Sequence, residues 1–204
     1  MIAILGYGLG NIKAFQNIYR ELNVPCVVAE DRQTLASAER IILPGVGSFD
    51  HAMQRLKASG LSETLEEAVV GRGIPVLGIC VGMQMLARSS EEGTEPGLGW
   101  IDGTVEKIRF GDDAPRGLLP HMGWSTIREK ADEPLLAGLD ADLGFYFLHS
   151  YRFVCNDPAD VIATADYATQ FHCAVRRGNV HGVQFHPEKS HHNGIRLLKN
   201  FAES

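Results

Sequence analysis

The stretch Gly78-Ile79-Cys80-Val81-Gly82 constrains this chain more than any other. It follows an apolar run, Ile74-Pro75-Val76-Leu77, that reads as a buried strand. It then runs into Met83-Gln84-Met85-Leu86-Ala87, which suits the opening of a helix. A strand that turns at once into a helix leaves little room at the corner. Glycines on either side permit the close approach, and the middle residue is forced into a strained, exposed position. That residue is Cys80, and the helix N-terminus behind it offers backbone N–H groups to an oxyanion. Cys80 is either an activated nucleophile or a small apolar side chain in a Gly-rich turn. These five residues alone do not choose between the two.

The same alternation runs through the residues upstream. Ile2 to Leu5 predicts a strand and Gly6-Tyr7-Gly8-Leu9-Gly10-Asn11 a turn. Ile12 to Leu22 predicts a helix with Ile12, Phe15, Ile18, Tyr19 and Leu22 on one face. The turn misses the G-x-G-x-x-G spacing of a dinucleotide site, since Asn11 stands three after Gly8. Pro25 to Ala29 and Arg40 to Leu43 predict two more strands. The second enters Pro44-Gly45-Val46-Gly47-Ser48-Phe49, a loop whose backbone can come close to a small group. Asp50 to Leu56 and Leu61 to Val70 predict helical pieces. Strands alternating with helices predict an α/β fold, a mostly parallel central sheet with helices on both faces.

Past Ser89 the pattern changes to an antiparallel, β-rich second half. Glu91 to Gly99 predicts a polar loop. Gly103 to Phe110 and Met122 to Arg128 predict short antiparallel strands flanking a Gly/Asp/Pro loop from Gly111 to Pro120. Further strands are predicted at Phe145 to Leu148, Arg152 to Val154, Val161 to Ala165 and Cys173 to Val175. Gly178-Asn179 predicts a hairpin turn before Val180 to Phe185, and Gly194 to Phe201 a terminal amphipathic helix. With 204 residues and no repeat or linker, residues 1–204 are expected to form one domain.

Composition narrows the function. A net charge of −6 without a Lys/Arg cluster speaks against nucleic acid and against an anionic membrane surface. Met1 to Leu5 lacks a basic segment and is too short for a signal peptide or a membrane span. Cys26, Cys80, Cys155 and Cys173 form no C-x-x-C pair, and His51, His121, His172, His181, His191 and His192 show no metal-ligand spacing. The reading is a cytoplasmic protein with reduced thiols, no metal and no cofactor.

The last predicted strand delivers Gly182-Val183-Gln184-Phe185-His186-Pro187-Glu188. A histidine at the carboxyl end of one strand is placed to reach a nucleophile at the carboxyl end of another. Glu188 can hold the second ring nitrogen, and Pro187 stiffens the link. Alone, this is an exposed turn. Beside the Cys80 elbow it supplies nucleophile, base and orienter.

Taken together, Pro44-Gly45-Val46-Gly47, Gly78 to Gln84 and Gly182 to Glu188 give the chain a resemblance to class I, triad-type glutamine amidotransferases. The resemblance covers essentially the whole chain. Tyr7 to Asn11, Pro120-His121-Met122-Gly123-Trp124, Tyr146 to Tyr151 and Pro187-Glu188-Lys189-Ser190 are similar to the members that feed histidine biosynthesis. Two positions depart: Ser125 stands where that group usually has Asn, and Gly6 where many members have Asp.

The resemblance implies L-glutamine as substrate and Cys80, His186 and Glu188 as catalytic residues. It implies oxyanion and substrate contacts at Gly45, Val46, Gly47, Val81, Gln84, His149, Ser150 and Tyr151. It implies a heterodimer with a (β/α)8-barrel cyclase that receives the ammonia, docked on Asn11, Met122, Trp124, Tyr146 and Lys189. A paralogue that supplies ammonia for sugar amidation is the neighbouring alternative. A non-catalytic module of the same fold is the alternative from another class, and it would have no need of all three catalytic residues.

Overall fold

The first half of the chain lays down four short apolar strands, β1 (Ile2–Leu5), β2 (Cys26–Ala29), β3 (Arg40–Gly45) and β4 (Val76–Cys80). β1 and β4 are buried at every residue and β3 at all but its first, so the sheet is covered on both faces. The covering helices are α1 (Ile12–Glu21), α2 (Arg32–Ala36), α3 (Phe49–Ala58) and α4 (Ser62–Glu66). A π-type turn over Glu67–Gly71 follows α4, and α5 (Val81–Gln84) follows β4 directly. The computed structural model describes residues 1–110, 119–130 and 132–204.

The second half adds β5 (Ser89–Ser90), β6 (Gly103–Lys107), β7 (His121–Ser125), β8 (Arg128–Glu129), β9 (Phe145–His149) and β10 (Tyr151–Cys155). It closes with β11 (Val161–Tyr167), β12 (Thr169–Arg177), β13 (Val180–Val183) and α6 (His191–Glu203). The main sheet runs β2-β1-β3-β4-β13-β12-β10-β6-β5, with β11 bridging β12 and β8. From β2 to β13 every pairing is parallel; β12 and β10 continue it antiparallel. This is the α/β fold expected from the alternation. Its parallel half holds β3, β4 and β13 side by side, so their carboxyl ends open at one edge. No helix among the described residues is long and apolar enough to cross a membrane.

Several expectations needed correction. The segments Gly103 to Phe110 and Met122 to Arg128 do not pair with one another. β6 pairs with β10 and β5, whereas β7 pairs antiparallel with β9 in a separate two-stranded ribbon. Period-2 alternation identifies a strand but not its neighbour. Most of the intervening loop lies outside the described residues. The helix expected from Met83 ends after one turn, at Gln84, and the short α2 was not foreseen. Strand β3 continues through Pro44 to Gly45, and the last strand ends at Val183, before Phe185.

Candidate active site

The elbow is built by an interlock of backbones. Cys80 closes β4 with φ +56° and ψ −113°, a conformation costing a non-glycine residue about 1–3 kcal/mol. The neighbours leave it no alternative. A Cβ on Gly82 would stand 2.0 Å from the Leu43 carbonyl oxygen, and one on Gly45 would stand 2.2 Å from the Gly82 nitrogen. β3 and the start of α5 therefore touch through bare backbone, which pins the thiol at the sheet edge. Tyr7, buried at the turn after β1, donates its hydroxyl to the Pro44 carbonyl at 2.5 Å and steadies the next loop.

His186 arrives just beyond β13. Its Nδ1 lies 2.9 Å from Glu188 Oε1, which leaves Nε2 as the ring nitrogen available to the Cys80 sulfur in the same cavity. Both side chains of the His186–Glu188 pair are almost fully buried, and Glu188 Oε2 has no partner among the described residues. Burial pushes the imidazole down. The Cys80 sulfur and the Glu188 carboxylate beside it outweigh that and raise it to about 10. His186 is therefore held as an imidazolium at neutral pH.

A cavity of about 300 Å³ opens over the thiol, the size of a small-molecule site. Cys80, His186, Val81 and Gln84 line it, as do Val46 and Gly47 from the loop after β3. His149, Ser150 and Tyr151 supply the wall between β9 and β10. Gly45 lies behind, buried against Gly82, and Glu188 lies behind His186. Gly47 takes φ +88° with open space around it, so this loop is not packed in place.

Four contributors stand outside the expected set: Pro120 and Leu148, which line the cavity with the Leu148 carbonyl 3.9 Å from Cys80 Sγ, and Glu92 and Gln184. Glu92 lines the cavity and its Oε2 accepts from the Phe49 N–H at 2.8 Å, tying the 90–95 loop to the start of α3. Asp50 returns the contact by accepting from the Thr94 and Glu95 N–H groups. Gln184 is fully buried, bonds Gln84 Nε2 through its Oε1 at 3.0 Å, and reaches Cys80 Sγ with its Nε2 at 3.8 Å. Its position two before His186 was a usable signal, since alternate residues of an extended chain share a face.

Outside the cavity, Met122 and Trp124 project from β7 and are 61% and 51% exposed. Trp124 meets Tyr146 edge-on at 6.2 Å, Lys189 sits 5.5 Å over the Tyr146 ring, and His191 stacks on Trp124 at 5.3 Å. Lys189 also reaches the cavity rim. Asn11 precedes α1, a helix that rests on the Pro187–Lys189 turn. No group of three His, Cys, Asp or Glu side chains converges to hold a metal ion among the described residues.

A thiol and a carboxylate-held imidazole sharing one cavity at the edge of a parallel sheet define an enzyme that attacks an acyl carbon through sulfur. The chain belongs to the class-I glutamine amidotransferase family, whose model matches residues 6–204. Its relatives include the imidazole glycerol phosphate synthase subunit HisH of Bdellovibrio bacteriovorus, 54% identical with all of both chains covered. The HisH of Leptospira interrogans is 52% identical over 99% of each chain, and HisH 2 of Pseudomonas aeruginosa 45% identical over 100% and 99%. A crystal structure of a glutamine amidotransferase shares the fold at TM-score 0.75 and 20% identity, covering 99% of this chain and 97% of that one.

Proposed function

We propose that this chain is the glutaminase subunit of an imidazole glycerol phosphate synthase. It hydrolyses L-glutamine and passes the ammonia to a (β/α)8-barrel cyclase subunit, in a cytoplasmic heterodimer of histidine biosynthesis. The observation that carries the chemistry is the Cys80–His186–Glu188 line opening into the cavity. Support for the particular acceptor is the identity to HisH subunits along their whole length.

In this reading Cys80 Sγ, as thiolate, bonds to the side-chain carboxamide carbon, and the carbonyl oxygen becomes an oxyanion. The Val81 N–H is one donor to it, and the Val46-Gly47 peptide is the second once turned inward. One such donor contributes about 3–4 kcal/mol to the transition state. His186 gives its proton to the nitrogen, the C–N bond breaks, and ammonia leaves a γ-glutamyl thioester. Water then attacks, surrendering a proton to His186, and glutamate departs as the thiolate is restored. Gln84 and the backbone of His149, Ser150 and Tyr151 hold the amino-acid end. The Glu92 carboxylate at the rim is a counter-charge for its ammonium group. Asn11, Met122, Trp124, Tyr146 and Lys189 face the cyclase.

The test has two arms. A glutamine-mimicking electrophile should label Cys80 and be blocked by glutamine; labelling elsewhere, without protection, favours a non-catalytic module. Adding a barrel cyclase with its ribonucleotide should raise glutamine hydrolysis. Stimulation only by a sugar-amidating synthase would reassign the acceptor.

A further inference from the structure

The side chains of one buried polar cluster beside the cavity have no task in this chemistry. His121 on β7 and His149 on β9 are both buried, and their rings meet, His121 Nδ1 lying 3.0 Å from His149 Nε2. His149 Nδ1 lies 2.7 Å from the Tyr151 carbonyl oxygen, and His121 Nε2 lies 3.0 Å from Ser125 Oγ. A carbonyl only accepts, so His149 carries its proton on Nδ1. Its Nε2 is then a lone pair and accepts from His121 Nδ1–H. That leaves His121 Nε2 as the acceptor for the Ser125 hydroxyl. One carbonyl thus sets the tautomer of two neutral rings and the rotation of one hydroxyl. Burial keeps the rings neutral, pushing His149 down to about 3 and His121 to about 4. His121 is also sandwiched, with Tyr167 stacked at 4.0 Å and Phe147 at 4.8 Å between centroids.

The chain of bonds continues past Tyr151. The same carbonyl accepts from Gln84 Nε2 at 3.3 Å, and that nitrogen donates to Gln184, whose own amide nitrogen faces the Cys80 sulfur. Ser125 and His121 do not line the cavity, but His149, Tyr151 and Gln84 do. The Ser125 side chain turns inward to His121, away from the outward row of Met122 and Trp124.

We propose that Ser125 and His121 are positioning residues that act through His149 to fix the Tyr151 carbonyl and the Gln84 amide, so that the ribbon β7–β9 shapes the glutamine-binding wall. The proposal rests on the glutaminase reading. It makes Ser125 a working hydroxyl donor rather than a change at the docking face.

The experiment measures glutamine hydrolysis by the full chain with its cyclase subunit bound. It compares wild type with His121→Phe, His121→Asn and Ser125→Ala, and adds ¹⁵N spectra of the histidine side chains. His121→Phe keeps a flat ring but no donor, and its KM for glutamine should rise roughly tenfold while kcat falls less than about threefold. His121→Asn puts an amide donor in place of Nδ1 and should recover most of that loss. Ser125→Ala should raise KM by about threefold. The wild-type spectrum should show two histidines in the Nδ1–H tautomer. Unchanged KM in folded His121→Phe, no recovery by His121→Asn, or Nε2–H tautomers at both rings would each overturn the proposal. Should His121→Phe fail to fold, Ser125→Ala and the wild-type tautomers decide. Wild type inactive on glutamine would overturn the parent reading, whereas active wild type with insensitive variants overturns only the positioning role.

Discussion

Cys80 and His186 are each held in a state that the isolated residue would leave. The Cys80 backbone sits at φ +56°, and only the bare-backbone contact of β3 with α5 makes that conformation the available one. His186 keeps its proton although it is buried, because the Cys80 sulfur and a carboxylate face it. The sign of the resulting pH dependence follows. A histidine raised from its ordinary 6.5 to about 10 contributes its full stabilisation below 6.5, and that contribution is lost as the pH rises through about 10. Replacing Glu188 by Gln should therefore lower stability by about 3 kcal/mol at pH 6, as for removing one partner of a buried pair. Denaturant melts across the pH range should show the gap closing toward pH 10. A gap that widens with pH would contradict the protonation assigned here. Cys80 is legible from the glycines two residues to either side of it, and His186 with Glu188 from their two-residue offset; that the two segments meet is not a local property. Glu92 carries no such signal, since nothing in a polar loop says which cavity it will meet, whereas Gln184 stands two before His186 and shares its face of the extended chain.

At the scale of elements, the β7–β9 ribbon links the outer surface to His186. The Tyr146 carbonyl accepts from the His186 N–H at 2.9 Å, and the Tyr146 N–H donates to Ser190 Oγ, which in turn donates to the His186 carbonyl at 2.6 Å. The same strand carries His149 to the cavity wall. If the outer face is the docking surface, Trp124→Ala should weaken cyclase binding by about 2 kcal/mol, roughly thirtyfold in Kd, by titration calorimetry. An unchanged Kd would move the interface elsewhere. The elbow makes a different demand. Gly82→Ala would place a methyl 2.0 Å from the Leu43 carbonyl oxygen and should destabilise the chain by about 3 kcal/mol or more in urea unfolding. Glycine spacing made the elbow readable in advance. The ribbon was missed because both its strands alternate correctly, and alternation carries no address for the partner strand.

For the molecule as a whole, the core of the site is buried: Cys80, Val81, Gln84, His149 and His186 are all less than a tenth exposed. The Val46–Gly47 segment contrasts with it, Val46 being 39% exposed and a Cβ on Gly47 meeting nothing within 4 Å, beside a buried Cys80 and His186. Glutamine turnover by the isolated chain is therefore expected to be weak. It should rise at least about tenfold, roughly 1.4 kcal/mol, when the cyclase and its nucleotide bind and turn that peptide toward the oxyanion. Equal turnover with and without the cyclase would show that the loop already serves. By itself the sequence determined what short-range geometry determines: buried apolar runs that become strands, glycines that let a helix fold back at Cys80, and a histidine two residues from its carboxylate. Only the tertiary structure decided that His121 meets His149 across 28 residues and Gln84 meets Gln184 across 100. Such encounters depend on the order in which the strands are wound into sheet and ribbon, which residue periodicity does not encode.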